Sequence, residues 1–192
     1  MCRAARGWLF LLTAAGLAMG GWPAHAQQTD TGGIIGSLEA GGMFGLGAHG
    51  SVGASLASPA SKYLLPFIDF NYSPLTSYGF KYGSNLSGKG LYTSGLLDLN
   101  GGVKIRFPNT GNWLPYVGLG VGVLRFMSST DTSGFGASAS VTQTSNDIAG
   151  NASVGALYYI TQHLGFGMEV KGYAAQHTHL VRVSLGVFFQ IP

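Results

Sequence analysis

Between Leu97 and Phe107 the sequence alternates without a break. Leu97, Leu99, Gly101, Val103, Ile105 and Phe107 carry no polar side chain, while Asp98, Asn100, Gly102, Lys104 and Arg106 between them carry three charges. Two residues is the side-chain period of a β-strand, so this pattern predicts a strand with one apolar and one polar face. Val181, Val183, Leu185, Val187, Phe189 and Ile191 stand in the same way against Arg182, Ser184, Gly186, Phe188 and Gln190. Phe166, Met168 and Val170 are likewise separated from Glu169, Lys171 and Tyr173. Looser versions over 35–44, 51–56, 65–72, 113–123 and 151–160 bring the expected number of strands to eight.

Short turn-forming links separate several of these runs, among them Ser58-Pro59-Ala60-Ser61, Pro108-Asn109-Thr110-Gly111-Asn112 and Gln162-His163. The stretches 73–92 and 128–146 are rich in Gly, Ser and Thr and too long for simple hairpin turns. They are expected to be long loops. An even strand count returns both chain ends to one side and puts those loops on the other.

Composition decides which face is inside. Only 9% of the residues are charged, against about 25% in ordinary soluble domains, yet 46% are hydrophobic. That is too apolar for a disordered chain. The 32 glycines keep no collagen repeat, and a scattered net charge of +3 argues against nucleic acid as a partner. Charge this scarce cannot solvate an exterior. It falls mostly on the Gly/Ser/Asn face, which suits a crowded polar interior with lipid outside. A soluble lipocalin-like barrel would need the opposite arrangement. Strands of about 9–11 residues also have the length to cross a bilayer at a tilt, and closure pairs every backbone group. The expected fold is all-β: an eight-stranded antiparallel up-and-down transmembrane β-barrel. Trp113, Tyr116, Tyr158, Tyr159, Phe188 and Phe189, near strand ends, are expected in its interfacial girdles.

Residues 1–26 have the layout of a cleaved signal peptide. Arg3 and Arg6 precede an apolar stretch, and Ala24-His25-Ala26 forms a small-residue cleavage site before Gln27. The barrel domain is then 27–192. Without the leader the chain has eight bases, seven acids and no cysteine, because Cys2 is the only one. A disulfide or a thiolate metal site is thereby excluded.

The runs Leu97-Asp98-Leu99-Asn100-Gly101-Gly102-Val103-Lys104-Ile105-Arg106-Phe107-Pro108 and Leu114-Pro115-Tyr116-Val117-Gly118-Leu119-Gly120-Val121-Gly122 resemble small bacterial outer-membrane barrels of the OmpA/OmpX/OmpW-like type. The run His179–Phe189 is similar to the last strand of such proteins, which the outer-membrane assembly machinery reads. The resemblance implies export to the outer membrane of a Gram-negative cell and outer-membrane lipid as a partner. It further implies a monomer.

The candidate site is the interior. Glu39, Asp69, Asp98 and Glu169 face Lys104, Arg106, Lys171 and Arg182 there, four acids against four bases. Eight strands leave room only for side chains, so a mutually neutralising ion-pair network plugging the barrel is expected. The first alternative is a narrow small-solute channel of the OmpW-like kind. The second is a lipid A or phospholipid hydrolase, since His49-Gly50-Ser51 resembles the H-x-S of a lipid A deacylase. Nothing acidic lies between Glu39 and Asp69 to complete that set, so no catalytic residue is assigned. His177 and His179 share a face but lack a third ligand, and no metal or cofactor is expected. Gly118, Gly120 and Gly122, spaced every second residue, thin the wall for bulky interior groups. Arg125, on the apolar parity, is expected at the outer rim. The expected function is structural or surface-interacting and non-catalytic, with a possible extracellular ligand at Tyr78, Lys81, Tyr82 and Lys89.

Overall fold

A computed structural model describes residues 33–82, 88–108, 111–134, 137–176 and 178–191. The expected signal peptide and His177 lie outside the described residues, as do the side chains of Lys81, Tyr82 and Lys89. Eight strands follow in order: β1 (Ile34–Phe44), β2 (Ala48–Ala57), β3 (Leu64–Tyr82), β4 (Gly88–Arg106), β5 (Trp113–Gly134), β6 (Ala137–Tyr159), β7 (Leu164–Ala175) and β8 (His179–Ile191). Each pairs antiparallel with its sequence neighbours, and β8 pairs with β1, from Ile34 opposite Ile191 to Phe44 opposite Val181. The sheet closes into a barrel with no free edge around that ring.

The walls differ in height. β1, β2, β7 and β8 have 10–13 residues, whereas β5 and β6 have 22 and 23. The β1–β2 link is only Gly45-Leu46-Gly47, and its two glycines take φ of 122° and 112°, open to few other residues. β3–β4 and β5–β6 instead continue as a paired sheet well past this turn, as far as Tyr82 opposite Gly88 and Gly134 opposite Ala137. At about 3.3 Å per residue, the ten extra residues of β5 over β7 add roughly 30 Å of strand to the wall. The stretches 73–92 and 128–146 are therefore mostly strand, contrary to the expectation of loops.

The alternation lands as the composition requires. Leu38, Ile68, Leu119, Val121, Ile148 and Leu185 point outward, each at least 60% exposed. Their sequence neighbours point in. The interior is layered. Toward the chain ends lies an apolar layer of Ile35, Leu65, Phe67, Leu114, Tyr116, Leu157, Tyr159 and Phe188. Toward the tall wall lies a second, built of Met43, Leu96, Leu124, Ala149, Tyr173, Ala175 and Leu180. Three of the expected girdle aromatics are thus interior: Tyr116, Tyr159 and Phe188 are at most 5% exposed. They sit on the polar parity of their strands, and a barrel end wide enough to need filling takes them up. Trp113 and Tyr158 do pair outside, with ring centroids 4.9 Å apart.

Candidate functional site

Between the two apolar layers lies a slab of charge. Strand parity delivers it: Glu39 from β1, Asp69 from β3, Asp98 and Lys104 from β4, Glu169 and Lys171 from β7, and Arg182 from β8 all face inward. Lys171 and Asp98 have no exposed surface, and Arg182 retains 1%. Charges buried this fully persist only when paired and hydrogen-bonded.

Glu169 is the hub. Its Oε2 lies 2.6 Å from Lys104 Nζ, and its Oε1 lies 3.1 Å from Lys171 Nζ and 3.4 Å from Arg182 Nη2. Lys171 also pairs with Asp69, and Arg182 Nη2 reaches Glu39 Oε2 at 3.3 Å. Asp98 Oδ2 lies 3.9 Å from Arg182 Nη1. Neutral donors complete the carboxylates. Tyr116 donates to Glu169 at 2.9 Å, and Tyr173 donates to Asp98 at 2.5 Å. Ser37 and Ser184 donate to the two oxygens of Glu39 at 3.0 and 3.1 Å. Asn100 Nδ2 bonds both Asp98 and Asp69, and its own carbonyl accepts from Asn151.

Seven of the eight expected interior charges therefore meet in one connected layer. Arg106 also faces in, at 4% exposure, but lies at the end of β4, where its guanidinium donates to the Ser61 carbonyl of the β2–β3 link. The layer holds four carboxylates and three cations. Tyr116, Tyr173, Asn100 and Asn151 are hydrogen-bonded members of the network that a charge inventory overlooks, although each sits on the inward parity.

Room for this layer comes from glycine. A Cβ at Gly118 would stand 2.5 Å from Ser153 Oγ and 3.2 Å from Lys104 Cγ. At Gly120 it would stand 2.7 Å from the Gly101 carbonyl and 2.9 Å from Asn151 Oδ1. The glycine run does thin the wall where polar side chains crowd.

The remaining residues singled out in the sequence lie outside this layer. His49 Nε2 lies 3.0 Å from the Leu46 carbonyl, so its ring closes its own turn. Ser51 is buried on the same face. Among the described residues no three His, Cys, Asp or Glu side chains are grouped to hold a metal. Arg125 is exposed on the outward face, opposite Leu97 and Asn146, above the apolar band.

No family model and no curated protein matches the sequence. Solved structures do. Neisserial surface protein A superposes with a TM-score of 0.52 at 13% identity, covering 82% of this chain and 96% of that one. A major outer membrane protein from Thermus thermophilus gives 0.50 at 14% identity, covering 82% and 99%. The chain has the fold of the small outer-membrane barrels. A de novo designed transmembrane β-barrel also matches, with a TM-score of 0.50 at 15% identity over 86% of this chain and all of the design.

Proposed function

We propose that the protein is an exported, non-catalytic outer-membrane barrel, sealed along its axis and active through its outer surface. The sealing of the interior carries this reading. An ionic layer cross-links β1, β3, β4, β7 and β8, and an apolar layer covers it on each side. One space among those interior side chains, lined by Glu39, Lys104, Tyr116, Glu169, Leu157 and Phe188, has a volume of about 30 Å³, room for ordered water. An ion would have to cross two apolar layers and break several buried pairs, each step costing several kcal/mol. The outward band of leucine, valine and isoleucine matches lipid, and burying charge there would be opposed. β8, which closes the ring against β1, is the strand the assembly machinery would read.

Purified protein reconstituted in a planar bilayer tests the seal. No unitary conductance is expected. Reproducible conductance steps, altered by replacing Lys104 or Arg182, would overturn the sealed reading in favour of a narrow channel.

A further inference from the structure

The tall wall has two faces, and the one continuing the barrel interior is unlike either the lipid face or the plug. Above the buried Leu124, the register puts Leu96, Ser94 and Tyr92 of β4 opposite Phe126, Ser128 and Thr130 of β5. These in turn face Ser145, Gln143 and Val141 of β6. The opposite side of the ring stops short: β2 pairs with β3 only as far as Val52 opposite Tyr72, and β6 with β7 only from Ala149 opposite Ala175. The wall therefore overhangs the sealed mouth and presents an open trough of about 540 Å³, lined by Tyr92, Phe126, Ser94, Ser128, Gln143 and Ser145. That volume lies within the usual range of small-ligand sites.

Its chemistry is specific. Phe126 and Leu75 form a floor packed on the apolar layer below. Tyr92 pairs across the strands with Tyr78 of β3, with ring centroids 5.1 Å apart and planes at 34°, and Tyr78 is 53% exposed. Hydroxyls and one carboxamide flank these rings, groups that both donate and accept. Among the described side chains on this face the one charge is Asp147, at the foot, opposite Leu124. An anionic ligand would find no cation among them, and a cationic one no carboxylate near the rings. Aromatic rings beside hydroxyl and amide groups suit a molecule with apolar C–H faces and a rim of hydroxyls.

We propose that this trough binds an uncharged oligosaccharide, with the Tyr92–Tyr78 rings under a sugar face and Gln143, Ser128 and Ser145 bonding its hydroxyls. The proposal names the surface ligand of the barrel and rests on the outer-membrane reading for access from outside.

The test uses the whole protein in detergent micelles or nanodiscs, probed with an array of uncharged hexose and N-acetylhexosamine oligosaccharides. An array of sulfated and sialylated glycans and a mixture of unstructured peptides run alongside it. Expected is retention of a neutral glycan that changes little between about 50 mM and about 500 mM salt. Tyr92→Ala and, separately, the solvent-exposed Gln143→Ala should each weaken it about tenfold, a loss of about 1.4 kcal/mol. Unheated gel migration of each variant reports the barrel independently. Folded protein that retains no neutral glycan, only salt-released anionic glycans, or only peptide would overturn the proposal. So would neutral-glycan binding indifferent to both substitutions. A wild-type protein without a heat-shifted band would refute the barrel reading itself, and the trough with it.

Discussion

Lys171→Met is the sharpest probe of the ionic layer. The ammonium has no exposed surface and sits between Asp69 and Glu169 Oε1, 3.1 Å from the latter. Methionine fills a similar volume with no charge, leaving four carboxylates against Lys104 and Arg182. Removing one partner of a buried pair costs about 3–5 kcal/mol, most of it the penalty of the charge left behind. Asp69 suffers most, because its remaining close bond is the 3.0 Å one from Asn100. The double variant Lys171→Met with Asp69→Leu removes that stranded charge, and coupling between contacting residues runs to about 0.5–3 kcal/mol. The double should therefore be more stable than the sum of its singles by an amount in that range. The assay is reversible urea unfolding of each protein in lipid vesicles, followed by tryptophan fluorescence. A Lys171→Met loss below about 1 kcal/mol, or strictly additive singles, would refute a tightly coupled, dry ionic layer.

Other consequences follow from the same geometry. Leu185→Arg, on a side chain 64% exposed near the middle of β8, should cost about 2–4 kcal/mol in vesicles, whereas a water-facing position would tolerate it. Urea midpoints decide between these. Gly120→Val should lose about 1–3 kcal/mol by the same assay, because its Cβ would sit 2.7 Å from the Gly101 carbonyl and the backbone must move. Arg106→Ala should unsettle the β2–β3 link by removing the bond to Ser61, seen as faster proteolysis within 58–63 and a loss of about 1–3 kcal/mol.

The parts of this molecule legible in its sequence are those where two solvents meet across one strand. In Val181–Ile191 every outward residue meets apolar surroundings and most inward residues meet polar ones, so parity alone orients the strand. Above the barrel that contrast disappears. Thr130, Thr132, Ala139 and Ser140 are partly or largely exposed on both faces of the sheet, so nothing forces an alternation. Their strands are held by backbone pairing that runs up to Gly134 opposite Ala137, which leaves no mark on hydropathy. The bulge between Pro74 and Thr76 adds a second obstacle, shifting the β3 register by one residue against β4. Tyr116, Tyr159 and Phe188 show the converse: strand parity places them inside, and weighing aromatic character above parity misplaces them. The layering of the interior is invisible in one dimension, because it depends on the stagger that brings Glu169 of β7 level with Lys104 of β4, three strands away around the barrel.

The most direct test of the central claim uses the absence of cysteine beyond Cys2. Single labels at Leu185→Cys and Val187→Cys, with Ser184→Cys as the inward neighbour, would carry an environment-sensitive dye in vesicles of ordinary or brominated lipid. Quenching by brominated lipid at 185 and 187, with none at 184, is the predicted result. Quenching at 185 and 187 by aqueous iodide and not by lipid would contradict the account, because the apolar face would then be turned away from the membrane.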